Sequence, residues 1–141
     1  MKIINYGKQY IDKDDIRYVE KALRSEKITQ GKFVNEFEKN LSKYTGSKYC
    51  ATVSSGSSAL FLSLKVLNLK KKNTVITTPI TFASTITSIL MNNHKVDFCD
   101  INLKSYTLDL NKLENKLKKN NKIGAVIGVD YAGHPSEWKD L

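Results

Sequence analysis

Between residues 49 and 130 short apolar runs alternate with stretches of helical period, and this alternation restricts the possible folds more than any other feature of the sequence. YCATV at 49–53, TVITT at 74–78, VDFCD at 96–100 and IGAVIGVD at 123–130 read as buried strands. Between them, 57–67 aligns Leu60, Leu64 and Leu67, a second helix runs through Ile86, Ile89 and Leu90 to Met91, and a Lys/Asn-rich helix is expected near 111–119. Repeated strand–helix alternation predicts an α/β domain with a mostly parallel sheet and right-handed crossovers. Upstream, Asp12 can cap a helix carrying Ile16, Val19 and Leu23 on one face. A second helix spaces Phe33, Phe37, Leu41 and Tyr44 for a core and stops at Gly46. At 141 residues the chain is expected to form one domain.

Ligands of such sheets sit beyond the carboxyl ends of the strands. SSGSS at 54–58, TTPITF at 77–82 and DYAGHP at 130–135 all fall there. The first admits two readings: a flexible turn around Gly56, or an anion cradle built from the N–H groups and hydroxyls of a helix start. It lacks the lysine of a P-loop, the spaced glycines of a dinucleotide fingerprint and the flanking glycines of a nucleophile elbow. A triad of Ser57, His134 and Asp130 has no support beyond two residues close in sequence. His94, in the turn NNHK, reads as a solvated surface residue, and His134 as a residue of the ligand edge. Cys50 and Cys99 form no CxxC pair and read as small core residues; no cluster has metal-ligand spacing.

The formal net charge of +9 raises the question of nucleic acid. The cations are nearly all lysine, Arg17 and Arg24 excepted, and are dispersed along the chain; the densest cluster, LKKKN at 69–73, lies between a helix and a strand. Without a recognition motif or an interleaved aromatic platform, no nucleic-acid partner is expected. No apolar run reaches membrane-spanning length and MKIINYGKQY holds no apolar signal core, so no membrane association and a cytoplasmic location are expected.

From about Asn5 to its last residue the chain resembles the N-terminal part of the DegT/DnrJ/EryC/StrS nucleotide-sugar aminotransferases. The resemblance is carried by YGKQYID at 6–12, ITQGKFVNEFEKNLSKYTGSKY at 28–49, VSSGSSAL at 53–60, TTPITFASTITSIL at 77–90, VDFCDI at 96–101 and VDYAGHP at 129–135. Within that family TTPITF and the YGKQYID start are most similar to the enzymes that aminate C4 of a UDP-linked 4-keto-6-deoxy sugar toward pseudaminic acid.

The resemblance implies an incomplete large domain of the fold type I, pyridoxal-phosphate-dependent transferases, three-layered around a mostly parallel sheet, with 1–141 as its N-terminal part. It implies pyridoxal phosphate held by Gly56, Ser57 and Ser58, with Phe82 stacked on the pyridine ring. Serine stands here where threonine and alanine are more usual, which keeps the hydroxyl. Substrate contacts fall on Tyr6, Gln30, Gly31, Thr81, Asp130 and His134, with Asp130 where many relatives have histidine and His134 where many have glutamine. The implied partners are a nucleotide sugar, glutamate as amino donor and a second copy in a homodimer. None of the chain's lysines matches the family's Schiff-base lysine, so no catalytic residue is assigned. The alternative is a non-catalytic binding or interaction module, or a binder of phosphate ligands.

Overall fold

The computed structural model describes residues 7–70 and 73–140. The chain divides into two compact units, Met1–Thr52 and Val53–Leu141.

The first unit is helical. Helix α1 spans Lys13–Leu23 and starts as its sequence dictates: the Asp12 carboxylate accepts from the N–H groups of Asp14 and Asp15 at 2.8 and 3.0 Å, while Asp15 accepts from the Asp12 N–H at 3.0 Å. Two reciprocal bonds satisfy donors that a helix start otherwise leaves unpaired. Helix α2, Lys32–Thr45, ends at Gly46 with φ 72°, the left-handed geometry that favours glycine. After α2, Thr52 donates both its N–H and its hydroxyl to Glu38, at 2.7 and 2.8 Å, and these bonds hold the Glu38 carboxyl below its ordinary pKa.

Two expectations fail in this unit. The aromatic stripe of α2 is not a core: Phe37 is 56% and Tyr44 90% exposed, and no residue of α1 or α2 is buried. Helical spacing makes a face apolar, but only a packed neighbour buries it. The run YCATV forms no strand. Among the described residues it has no ladder partner, and a β backbone persists only where a neighbour takes its hydrogen bonds.

The second unit is a three-layer α/β structure. Strands β1 (Thr74–Thr77), β2 (Lys95–Phe98) and β3 (Ile123–Val126) form a parallel sheet in the order β2-β1-β3. Helices α3 (Gly56–Val66) and α4 (Ala83–Met91) cover one face, where Leu64, Val75 and Ile89 form a cluster bordered by Val96, Ala125 and Ile127. Helix α5 (Leu110–Lys119) covers the other through Leu113, which joins Ile76, Cys99 and Leu108. Val75 and Ile76 are adjacent and face opposite layers, as the two-residue period of a strand requires. All of TVIT is buried, the pattern of a central parallel strand. Asp109 caps α5 through a 3.1 Å bond from the Lys112 N–H.

Cys99 is fully buried, and burial pushes its thiol pKa up, so it sits in the core as a neutral group. Cys50 is half-buried, and both thiols are free. His94 departs from expectation: it is only 9% exposed, and its Nδ1 has no hydrogen-bond partner among the described residues. The left-handed Asn93, φ 60°, folds the chain back so that the His94 N–H reaches the Ile89 carbonyl at 3.2 Å, turning the residue inward.

Candidate functional site

The stretch SSGSS opens α3, and its cap is Ser55, a residue the sequence left unassigned. The Ser55 Oγ accepts the Ser58 N–H at 3.2 Å and lies 3.1 Å from the Ser58 hydroxyl, which is also 3.2 Å from that of Ser54. Serine three residues ahead of a helical N–H is a capping spacing, and that signal was available from the sequence. The Ser58 N–H is therefore engaged, while those of Gly56 and Ser57, at the first two helical positions, have no acceptor within the helix. Both residues are exposed, and a Cβ placed on Gly56 would meet nothing within 4 Å. The helix start is thus open to an approaching anion: it offers two N–H groups, the Ser57 hydroxyl and the positive end of the helix dipole. These groups fit a phosphate such as that of pyridoxal phosphate.

A cavity of about 370 Å³ runs from this start along α4, between Ser57, Ser58, Phe61 and Leu62 on one side and Ser84, Thr87, Ser88 and Met91 on the other. Of the residues expected to bind ligand, Ser57 and Ser58 line it. Phe82 is the N-cap of α4 and is 77% exposed, so its ring takes no part in the core. Thr81 is half-buried and donates its hydroxyl to Thr85 at 2.8 Å, tying the TTPITF turn to the first turn of α4. Thr77 is buried and donates to the Ile127 carbonyl at 3.0 Å, which joins the turns after β1 and β3.

The turn after β3 is held by Asp130. Its Oδ1 accepts the Ser136 N–H at 2.8 Å and the Trp138 Nε1–H at 3.1 Å, so one carboxylate oxygen is committed to the turn. Tyr131–Gly133 form a 3-10 turn with Ala132 and Gly133 at φ 52° and 80°, and His134, exposed, closes it by donating its N–H to the Tyr131 carbonyl at 2.9 Å. Tyr131 packs against Tyr106, ring centroids 6.1 Å apart.

Gln30 and Gly31 belong to the first unit. Gln30 is left-handed, φ 53°, and Gly31 caps α2 where a Cβ would come within 2.5 Å of the Lys27 carbonyl oxygen, so the turn requires glycine there. Tyr6 lies outside the described residues. Among the described residues no group of three or more His, Cys, Asp or Glu could hold a metal, and no helix is long and apolar enough to cross a membrane.

A parallel sheet between helical layers is the architecture of the pyridoxal-phosphate-dependent aminotransferases of fold type I. The chain belongs to the DegT/DnrJ/EryC1/StrS aminotransferase family, whose model matches residues 9–141. It is 41% identical over 140 residues to a UDP-4-amino-4,6-dideoxy-N-acetyl-beta-L-altrosamine transaminase of Campylobacter jejuni, covering 99% of this chain and 37% of that protein. Its structure is similar to Helicobacter pylori PseC, an aminotransferase involved in pseudoaminic acid biosynthesis, with a TM-score of 0.89, 31% identity, and coverage of 99% and 38% of the two chains. The E. coli GDP-4-keto-6-deoxy-D-mannose-3-dehydratase with bound hydrated PLP is similar at a TM-score of 0.88, with 26% identity and coverage of 99% and 37%. The chain thus spans about 37% of the length of the Campylobacter jejuni relatives it matches.

Proposed function

We propose that residues 1–141 act as the N-terminal part of the large domain of a pyridoxal-phosphate-dependent nucleotide-sugar aminotransferase. The assembly would move an amino group from glutamate to C4 of a UDP-linked 4-keto-6-deoxy sugar, and as a homodimer. The observation that carries the reading is the family match over almost the whole chain, including the 41% identity to a transaminase named for a UDP-linked 4-amino-4,6-dideoxy sugar. The Gly56 and Ser57 N–H groups and the Ser57 hydroxyl bind the cofactor phosphate, with Ser58 beside them. Phe82 presents a flat apolar face that orients the ring. Thr81, Asp130 and His134, with Tyr6, Gln30 and Gly31, contact the substrate; Asp130 has its Oδ2 left for this once Oδ1 holds the turn. When bound, pyridoxal phosphate supplies the electron sink for amino transfer. None of the lysines of residues 1–141 matches the family's Schiff-base lysine, so no lysine here is assigned to hold it.

Two results test this. Incubation of the purified chain with pyridoxal phosphate, borohydride reduction and mapping should give scattered, low-level modification of many lysines. Stoichiometric modification of one lysine, with turnover of a keto sugar, would show that one of these lysines does hold the cofactor. In an assembly that holds cofactor, Phe82→Leu should leave the melting temperature within about 2 °C, the ring being mostly exposed, and weaken cofactor binding by about 3- to 10-fold, the worth of one aromatic stacking contact. A collapse of stability with unaltered binding would return Phe82 to the core. Phosphate binding with no turnover in any assembly would favour the second reading, a non-catalytic binder of phosphate ligands.

A further inference from the structure

The second unit gathers charge that the sequence disperses. In a parallel sheet every helix returns to the same end, so the connections 67–73, 92–94 and 120–122 all arrive at the amino ends of the strands. They are laced together there: the Asn73 carbonyl accepts the Lys95 N–H at 2.9 Å, and the Lys122 carbonyl accepts the Thr74 N–H at 2.9 Å. At the usual strand spacing of about 4.8 Å, the three connections stand side by side across about 10 Å. Lys95, Lys122 and Lys70 belong to this edge, and Lys65 and Lys119 join them from the last turns of α3 and α5. All five lysines are exposed, and among the described residues none has a carboxylate within ion-pair distance. The sequence adds Lys71 and Lys72, outside the described residues, to the first connection. No Asp or Glu occurs from residue 39 to 96 or from 115 to 129, the stretches that contain all three connections. The opposite edge has the other sign: 99–109 and 127–140, which leave the strands, hold five carboxylates against Lys104 and Lys139.

We propose that the amino edge of the sheet is a docking face for an anionic lipid surface. Lysine ammonium groups are compact point charges on flexible stems, and such charges suit a fluid field of headgroups. A reader of nucleic acid would present arginine forks or stacking rings, and the three connections contain no Arg, Phe, Tyr or Trp. The same end exposes aliphatic side chains in the last turns of α3 and α4, Val66 at 77% and Leu90 at 54%, which suit the boundary between headgroups and acyl chains. The negative charge of the opposite edge turns that edge away from an anionic surface, so SSGSS, TTPITF and DYAGHP stay open to solvent while the unit is docked. Peripheral attraction of this kind requires no spanning helix. It departs from the sequence-based expectation of no membrane association, which rested on spans and a signal core, and it stands independently of amino transfer.

The experiment sediments the purified chain with vesicles of phosphatidylcholine alone, or of phosphatidylcholine with about one third phosphatidylserine. Binding is expected to the mixed vesicles and not to the neutral ones, and it should fall at least about tenfold as salt is raised from roughly 0.05 to 0.5 M. Each lysine close to such a surface is worth roughly fivefold in affinity, so Lys95→Gln combined with Lys122→Gln should weaken binding about 25-fold. Both side chains are exposed and their ladder bonds are backbone bonds, so circular dichroism and melting should not change. Lys104→Gln combined with Lys139→Gln removes the same charge from the opposite edge, and should weaken binding less than about twofold. Equal losses from the two pairs would reduce the effect to net charge and overturn the proposal. So would absence of binding to the mixed vesicles, or equal binding to the neutral ones. Binding to polyuridylate tighter than to the mixed vesicles, and lost in the Lys95 and Lys122 variant, would assign this face to nucleic acid and overturn the proposal likewise.

Discussion

Replacing Ile76 by alanine is expected to destabilise the second unit by about 2 to 5 kcal/mol, the cost of emptying a fully buried aliphatic site. Ile76 has no exposed surface, lies in the middle strand, and is paired with Asp97 of β2 on one side and Val126 of β3 on the other. Its side chain meets Cys99, Leu108 and Leu113, so truncation leaves a void between the sheet and α5 that rigid strands on both flanks cannot close. A whole domain holds only about 5 to 15 kcal/mol in reserve, so this one change should remove a substantial part of it. Denaturant unfolding followed by circular dichroism is the measurement. A shift under about 1 kcal/mol would show that the cluster around Ile76 relaxes freely, contrary to its close packing.

Ser57→Asp should act in opposite directions on folding and on ligand. A carboxylate in the first turn of α3 complements the helix dipole, so the melting temperature should rise by about 1 to 6 °C. The same charge stands where the phosphate is proposed to bind. At about 4 Å it opposes a phosphate by on the order of 4 kcal/mol at the effective dielectric of a protein surface, in addition to the lost hydroxyl bond of about 1.5 to 3 kcal/mol. Binding should therefore become undetectable. Titration of the chain with pyridoxal phosphate, observed by phosphorus NMR, reads this directly, with thermal melts alongside. Unchanged affinity in a more stable protein would place the phosphate elsewhere, and a loss of stability would mean that the Ser55 cap, not the dipole, governs this end of the helix.

Much of the local structure was legible because its causes lie within a few residues of one another. The Asp12 cap and the Gly46 stop appear where the sequence put them, and three of the four expected strands form, the last ending at Val126 rather than at 130. The turns of the ligand edge were legible in the same way, since TTPITF starts on the last residue of β1 and DYAGHP starts four residues beyond the end of β3. Ser55, three residues ahead of the Ser58 N–H that it caps, obeys the same local logic.

Near-neighbour chemistry thus sets where the helices and three of the four expected strands lie, and which of their faces are apolar. Tertiary structure alone decided which of those faces are covered and which polar groups are engaged. YCATV has the composition of a strand but lacks a ladder neighbour, and Phe37 and Tyr44 have core spacing but no packed surface against them. His94 sits in a polar turn yet is buried, because the backbone folds it back to Ile89. Asp130 spends one oxygen on Ser136 and Trp138, and Phe82 stands free of the core. The physical reason is common to all of them: period and capping arise from bonds between near neighbours in the chain, whereas burial and ladder pairing depend on surfaces brought together from distant parts of it.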